Sequence, residues 1–343
     1  MFGRSSSKAV RVEVFAKTDL GKTRDHNEDR FLVADLTRAT ASLHPDVRAH
    51  VVGGRGSLFV VADGMGGAAA GELASEMATQ AIYVQMVRAL SKEREVTPQR
   101  FAARLKEAVE GANAQIHSYA VDHPDVRGMG TTTTAAGLLA DHLFLTQVGD
   151  SRAYLIRNGQ AVQLTKDQSL MQRLVEAGEL TEEEAAKSER RNIILQALGP
   201  DARVKVDLTH QELRKGDILV LCSDGLSGQV SKEEIAAIAS RERDLHAACD
   251  KLIALANERG GPDNVTVVLA RFDGDGLRAP EADAEVGHQV YPLIDTETST
   301  EPVPVYRGSR APESAAQSRW RLIVLLAAAL AAAGALYLTN RSQ

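Results

Sequence analysis

The sequence predicts an α+β protein, because helical periodicity and strand periodicity each extend over long parts of the chain. In residues 70–90, apolar side chains recur at three- and four-residue steps, which is the spacing of one helix face. From Thr131 the pattern changes to short apolar runs separated by turn signals, and Asn158-Gly159 is typical of a β-hairpin. These observations predict helices and strands in one chain and leave the layering of the fold open.

The predicted strands are short runs rich in β-branched and aromatic side chains, and they span 10–16, 31–34, 58–62, 131–140, 142–148, 153–157, 204–208, 217–222 and 265–272. The predicted helices follow the spacing of an apolar face, and they span 70–90, 98–119, 169–177, 181–187, 231–240 and 245–259. Thr97 and Pro98 are a typical N-cap and first residue for the second helix. Residues 35–57 are predicted to be a loop, because they contain Pro45 and several glycines.

Composition favours a globular protein and argues against nucleic-acid binding. The 343 residues are 44% apolar, carry a formal net charge of −6, and are enough for one large or two ordinary domains. The sequence has no basic stripe or arginine-rich arm, so no nucleic acid is expected as a partner. Two cysteines, Cys222 and Cys249, do not make a disulfide framework and fit a reducing cytosol.

The C-terminal end carries an apolar run over 322–338 that predicts a membrane anchor. A helix of this length would extend about 26 Å, close to the ~30 Å hydrocarbon thickness of a bilayer. Several alanines would also suit a soluble helix, but no charged side chain interrupts the run. Arginines are more frequent before the run than after it, so the positive-inside rule places the N-terminal part in the cytoplasm. The expected location is the inner cell membrane, crossed once.

The chain is therefore expected to consist of a tail, one folded domain, a linker and an anchor. The tail covers 1–9 and the domain covers 10–272, with a polar, mobile flap at about 165–199. Residues 273–318 lack periodicity and are rich in Pro, Glu, Ser and Thr, which predicts a disordered linker. The anchor covers 319–343.

Four aspartates each adjoin a predicted strand end and have a glycine within two positions: Asp63, Asp150, Asp224 and Asp263. Each one alone is compatible with an ordinary turn. Gathered together, their side chains would repel one another, and cations between them would offset that repulsion. Oxygen donors without His or Cys favour Mg²⁺ or Mn²⁺ over zinc. The pattern therefore predicts a Mg²⁺ or Mn²⁺ site.

Six ordered motifs resemble those of the PPM family, the metal-dependent (protein phosphatase 2C-type) serine/threonine phosphatases. They are Arg24-x-x-x-Glu28-Asp29, Asp63-Gly64-x-Gly66-Gly67, Gly130-Thr131-Thr132, Gly149-Asp150-Ser151-Arg152, Ser223-Asp224-Gly225 and Asp263-Asn264. The likeness is greatest to the bacterial branch of the family and covers about residues 10–272. It implies a four-layer α-β-β-α sandwich, in which two packed antiparallel sheets are flanked by helices, with a binuclear Mn²⁺ or Mg²⁺ centre at one end.

The resemblance also implies a set of metal ligands. Asp63 resembles the ligand that bridges both metal ions, and Gly64 would supply a backbone carbonyl. Asp224 and Asp263 resemble the ligands of the second ion. Asp150, together with Asp224, matches a weaker third metal site of bacterial relatives, although an aspartate at this position could also cap a turn.

Three charged residues near the N-terminus complete the implied site. Glu28 and Asp29 would act mainly through metal-bound waters, and Arg24 matches the phosphate-binding arginine of the family. The residues alone leave other interpretations open, because Arg24 could form a surface ion pair and the two acids could be solvated. Met65 stands where eukaryotic relatives have His, so no general acid is expected there. Gln168 stands in the flap where bacterial relatives commonly have His.

The expected function is hydrolysis of phosphoserine and phosphothreonine in proteins. The catalytic residues would be Arg24, Asp63 and Asp224: two metal ions would produce a bridging hydroxide for attack on phosphorus, and the arginine would bind phosphoryl oxygens. Phosphorylated proteins are the expected substrates and a serine/threonine kinase the expected counterpart, by analogy with the family. Two alternatives stay open: a catalytically weak phosphoprotein-binding module of the same fold, and an enzyme for small phosphorylated metabolites.

Overall fold

The structure of the protein is a computed structural model, and it describes residues 9–41, 49–281 and 285–293. Most of the predicted tail, the linker beyond residue 293 and the predicted membrane helix at 322–338 lie outside these residues. Within the described ranges, no helix combines the length and the apolar character that crossing a bilayer requires.

Strands and helices are distributed along the whole described part of the chain. The strands are β1 (Arg11–Asp19), β2 (Arg30–Asp35), β3 (Thr40–Ala41), β4 (Ala49–Val51), β5 (Ser57–Ala62), β6 (Gly64–Met65), β7 (Gly130–Thr131), β8 (Thr133–Leu139), β9 (His142–Val148), β10 (Arg152–Arg157), β11 (Gln160–Gln163), β12 (Asp207–Glu212), β13 (Ile218–Cys222) and β14 (Val265–Asp273). The α-helices are α1 (Ala68–Ser91), α2 (Pro98–Asp122), α3 (Leu170–Glu176), α4 (Glu182–Lys187), α5 (Asp224–Ser227), α6 (Lys232–Arg241) and α7 (Leu245–Glu258).

Two antiparallel sheets form the centre of the fold. The first sheet has the strand order β11-β10-β13-β14-β1-β4, and the second has the order β12-β9-β8-β5-β2-β3. Helices α1 and α2 pack on the second sheet, whereas α6 and α7 pack on the first. A third apolar layer lies between the sheets. This arrangement confirms the predicted α+β fold with two antiparallel sheets flanked by helices.

Strand β5 shows how the sequence produces this layering. Leu58 and Val60 pack with α1 and α2, whereas Phe59 and Val61 pack in the layer between the sheets. Alternate side chains of a strand point to opposite faces, so a strand covered on both sides is apolar throughout. All the side chains of β5 are buried. Asp63, the residue that follows β5, is therefore carried by a rigid element.

Local sequence signals set several of the observed boundaries. The Thr97 side chain accepts a hydrogen bond from the Arg100 N–H, and Pro98 is the first residue of α2, as predicted. Asn158 and Gly159 have φ values of 53° and 78° and connect β10 to β11, which confirms the predicted hairpin.

Pairing with another strand explains two of the differences between the predicted strands and the structure. The strand predicted at 204–208 begins later in the structure, as β12, because the residues that pair with β9 are Asp207 to Glu212. The predicted loop at 35–57 contains two short strands, and β4 is one of them. It pairs with the edge of β1 although it has only three residues.

The described part of 273–293, which the sequence assigns to the disordered linker, includes a segment that lies against the folded domain. The Tyr291 N–H donates to the Leu208 carbonyl oxygen at 3.0 Å, and the His210 N–H donates to that of Gln289 at 2.9 Å. The segment therefore extends the second sheet beyond β12. The folded part of the chain continues to at least residue 293, and the linker that follows stays a prediction.

Candidate metal centre

Five aspartates converge at one end of the two sheets. Asp63 follows β5, Asp224 follows β13 as the first residue of α5, and Asp263 precedes β14. Asp150 lies between β9 and β10, and Asp29 immediately precedes β2. Asp63 as a residue is half-buried, yet its carboxyl interacts electrostatically with all four of the others. The structure thus brings together the four strand-end aspartates that the sequence singles out, and it adds Asp29 to them.

Burial and mutual repulsion raise the pKa values of these carboxyl groups. For Asp29, burial is the largest cause and the charges of Asp224 and Asp263 add to it, which raises the pKa to about 7 from an ordinary value of 3.8. Burial, and after it the charge of Asp224, raises the pKa of Asp150 to about 7. Burial also raises the pKa of Asp63, and the four neighbouring carboxylates raise it further. Burial and then the charge of Asp263 raise the pKa of Asp224, whereas a hydrogen bond with Asp63 lowers it. A cluster with such values needs either protons or cations to be stable.

Three buried carboxylate oxygens of the cluster lack a hydrogen-bond partner, namely Oδ1 of Asp29, of Asp150 and of Asp224. A buried oxygen of this kind costs free energy unless a donor or a cation binds it. Carboxylate oxygens are the donors that Mg²⁺ and Mn²⁺ prefer. In the described ranges, no three acidic, imidazole or thiol side chains are already grouped closely enough to hold an ion. The chemistry of the donors fits hard divalent cations, and several of these carboxyl groups make other contacts.

Two of these contacts involve acids of the predicted site. Arg24 Nη2 donates to Asp263 Oδ2 at 2.7 Å, and the arginine side chain is half exposed at the rim of the cluster. This hydrogen bond is the main reason why the pKa of the Arg24 guanidinium is raised. Asp63 and Asp224 share a hydrogen bond between their side chains. Arg24 therefore does form an ion pair, but it forms the pair with an acid of the cluster.

Glycines allow Glu28 and α1 to approach the Asp63 turn closely. A Cβ atom on Gly64 would collide with the carbonyl oxygens of Gly71 and Glu28, and one on Gly71 would collide with the Glu28 carboxylate. The Gly64 N–H donates to the Glu28 carbonyl oxygen at 3.2 Å. Burial is the main cause of the raised pKa of Glu28. The structure thus places Glu28 beside the cluster, while its contact through water and the Gly64 carbonyl ligand stay predictions.

Two threonines without a predicted role fix the backbone of Asp63. The Thr132 N–H and the Thr131 hydroxyl both donate to the Asp63 carbonyl oxygen at 2.8 Å. The Asp63 N–H donates to Thr132 Oγ1 at 3.1 Å, and that oxygen lies 2.7 Å from Ser151 Oγ. The motif Gly130-Thr131-Thr132 is the sequence signal for these residues, but it does not reveal which backbone group they bind.

The predicted flap is joined to the Asp150 turn at its base. The Gln168 N–H donates to the Gly149 carbonyl oxygen at 2.9 Å, and its side-chain oxygen accepts from the Gly149 N–H at 3.0 Å. The preceding Asp167 forms a bidentate ion pair with Arg152, in which Nε donates to Oδ1 and Nη2 donates to Oδ2. Gln168, at which the chain departs from the bacterial pattern, therefore supports the turn that carries Asp150.

The fold and the cluster together define a class of protein. A pair of helix-flanked antiparallel sheets holds a group of acids that suits hard divalent cations. An arginine at the rim of that group suits a phosphoryl group, because a guanidinium matches the geometry of phosphate oxygens. This combination of features is that of the metal-dependent phosphatases.

Comparison with known proteins narrows this class to one family. The profile of a family described as protein phosphatase 2C matches residues 39–266. The serine/threonine phosphatase stp of Listeria monocytogenes serovar 1/2a is 37% identical over 259 residues, which are 75% of this chain and 94% of that relative. The chain belongs to the protein phosphatase 2C family.

Two further comparisons concern a phosphatase called PstP. The serine/threonine protein phosphatase PstP of Mycobacterium tuberculosis is 39% identical over 256 residues, 74% of this chain but only 44% of that longer relative. The catalytic domain of a PstP, crystallised with two manganese ions, has a TM-score of 0.62 at 36% identity and covers 77% of this chain and 99% of that one.

These comparisons confirm the family predicted from the six motifs and the predicted enzyme class. The protein is a metal-dependent serine/threonine protein phosphatase. The roles of individual residues, among them Asp63, Asp224 and Asp263 as direct ligands, stay predictions.

Proposed function

We propose that the carboxylate cluster is the active centre and that it removes phosphate from phosphoserine and phosphothreonine in proteins, with two Mn²⁺ or Mg²⁺ ions and a weaker third. The observation that carries this proposal is the set of buried, unpartnered oxygens on Asp29, Asp150 and Asp224. A phosphomonoester dianion would be repelled by these acids unless cations lay between them. When bound, the ions would supply Lewis-acid stabilisation of charge and activation of water.

The side chains and the one backbone carbonyl that would hold the ions all belong to the cluster or its edge: Asp63, Gly64, Asp224 and Asp263 directly, Asp150 at the third site, and Glu28 and Asp29 through water. Their positions at the ends of packed strands would limit how far the donors move. The rigidity of the sheets would in this way fix where the phosphoryl group sits.

Arg24 would bind the phosphoryl oxygens of the substrate. Its guanidinium lies beside Asp263, and its side chain is 51% exposed, so an incoming phosphate can reach it. Asp263 would hold a cation as well as pairing with Arg24, and the planar guanidinium of Arg24 suits two parallel hydrogen bonds to phosphate. The ion pair with Asp263 would thus keep Arg24 close to the position where the phosphoryl group would bind.

The proposed activity is tested on the full chain with a phosphothreonine peptide and with glucose 6-phosphate. Phosphate release from the peptide should require Mn²⁺, should stop when EDTA is added, and should have the higher kcat/KM of the two substrates. Binding of the peptide without turnover would contradict the proposal in favour of the catalytically weak binding module. Preferred turnover of the sugar phosphate would contradict it in favour of a metabolite enzyme.

We further propose that residues 322–338 anchor the chain in the inner cell membrane, with the phosphatase domain in the cytoplasm. The support is the uninterrupted apolar run and the excess of arginines before it. Opposition to a serine/threonine kinase is proposed on the analogy with the family alone. After carbonate extraction of membranes, the full chain should stay in the pellet, and a control that ends at residue 318 should not. Release of the full chain into the supernatant would contradict the anchor.

A further inference from the structure

A closed ring of hydrogen bonds lies beside the carboxylate cluster, and it begins and ends at Asp29. The Asp29 N–H donates to Asn27 Oδ1 at 3.0 Å, and Asn27 Nδ2 donates to Thr18 Oγ1 at 2.9 Å. The Thr266 hydroxyl donates to the same Thr18 oxygen at 2.7 Å. The Thr266 N–H donates to Ser223 Oγ at 3.0 Å, and the Ser223 hydroxyl donates to Asp29 Oδ2 at 2.7 Å. The ring holds both the backbone and one carboxylate oxygen of Asp29.

The ring also fixes the direction of the Ser223 hydroxyl. Because the Thr266 N–H binds one lone pair of this oxygen, the hydroxyl hydrogen must point to another acceptor. Two acceptors are within reach, Asp29 Oδ2 at 2.7 Å and the Asn264 carbonyl oxygen at 3.5 Å. The shorter bond, to a carboxylate, is the stronger one. Ser223 is 0% and Asp29 is 1% exposed, so water does not compete for it.

This hydrogen bond makes the two oxygens of Asp29 unequal. Oδ2 is bound by Ser223, whereas Oδ1 is buried without a hydrogen-bond partner. Rotation of the carboxyl group would exchange the two oxygens, and the loss of the Ser223 contact opposes that rotation, in addition to the side-chain contact that Thr266 makes with this carboxyl. The hydroxyl therefore keeps Oδ1 as the oxygen that a cation or its bound water can use.

We propose that Ser223 is a positioning residue of the metal centre, which orients the Asp29 carboxylate and thereby strengthens the binding of divalent cations. The inference rests on the proposed function of the cluster. Ser223 would act through Asp29 and would touch neither substrate nor ion. Outer hydrogen bonds of this kind change metal affinity by about 10–100-fold.

The test is calorimetric titration of Mn²⁺ into the full chain after EDTA treatment, without substrate. Ser223→Ala should weaken Mn²⁺ binding by about 10-fold or more. With saturating Mn²⁺, KM for a phosphopeptide should stay near the wild-type value. Ser57→Ala is the matched control, because Ser57 is also 0% exposed and lies 2.7 Å from a single side-chain partner, His50 Nε2. Ser57 begins β5 at the end away from Asp63, so this control should leave Mn²⁺ affinity unchanged.

A second pair of variants separates the hydroxyl from the packing of the side chain. Ser223→Thr and Ser223→Val introduce nearly the same shape, and only threonine carries a hydroxyl. The threonine variant should bind Mn²⁺ more tightly than the valine variant. Equal Mn²⁺ affinities of the wild type and Ser223→Ala would overturn the inference. If Ser223→Ala does not fold, equal Mn²⁺ affinities of Ser223→Thr and Ser223→Val would overturn it. If the wild type itself bound no Mn²⁺, the proposed function would fail together with the inference.

Discussion

Replacing Asp224 by asparagine is expected to remove most of the phosphatase activity and, at the same time, to stabilise the metal-free protein. The Asp224 carboxyl is buried, one of its oxygens has no hydrogen-bond partner, and the charge of Asp263 repels it. An amide keeps the shape but removes the charge, so repulsion within the cluster falls. The substitution also removes an anionic ligand. The kcat/KM measured with Mn²⁺ should therefore fall by more than about 100-fold, the upper range for loss of an outer contact alone.

Asp217→Asn is the matched control, because Asp217 precedes β13 and Asp224 follows it. Asp217 is buried and forms an ion pair with Arg157 at 2.7 Å. Breaking a buried ion pair from one side costs about 3–5 kcal/mol, so this variant should lose stability and keep its activity per folded molecule. Urea unfolding in EDTA measures the free energy of unfolding of both variants. Retained activity in Asp224→Asn, or a lower metal-free stability than the wild type, would contradict the prediction.

The parts of the fold that could be predicted from sequence are those set by local patterns. The run before Asp63 is apolar throughout, so a buried strand and an aspartate at its end could both be read directly. The same holds for Asp224 after β13 and for Asp263 before β14. The convergence of these aspartates was predictable to the same extent, because strand ends carry them, whereas their roles as metal ligands stay predictions.

What could not be predicted depends on partners distant in sequence. The sequence predicts only a contact through water for Asp29, because nothing nearby in sequence shows that Ser223 and Thr266 surround it. Residues 285–293 have the composition of a linker, yet Tyr291 packs edge-on against Phe144 at a ring-centroid distance of 5.0 Å. Composition indicates how much apolar surface a segment can bury. Whether the segment is ordered also depends on the surface of the domain against which it packs.

As the pH rises from 5 to 8, the metal-free wild-type protein should lose more stability than an Asp150→Asn variant. The pKa of Asp150 is raised to about 7 from 3.8, mainly by burial and then by Asp224. Between these values, the folded protein keeps a proton that the unfolded chain has released. Stability therefore falls as the pH rises through this window and levels off above about pH 7. Between pH 5 and about pH 7, this loss corresponds to about 3 kcal/mol, which the asparagine variant should avoid.

The comparison with a variant is needed because histidines act in the opposite direction over the same range. Burial lowers the pKa of His50, His210 and His288, so they contribute stability that is lost as the pH falls below about 6.5. These histidines are present in both proteins and cancel in the difference. Urea unfolding in EDTA should show that the stability of Asp150→Asn relative to the wild type increases between pH 5 and pH 8, whereas parallel pH profiles would contradict the prediction. Mn²⁺ should stabilise the wild type more at pH 8 than at pH 5, because cations bind the deprotonated carboxylates.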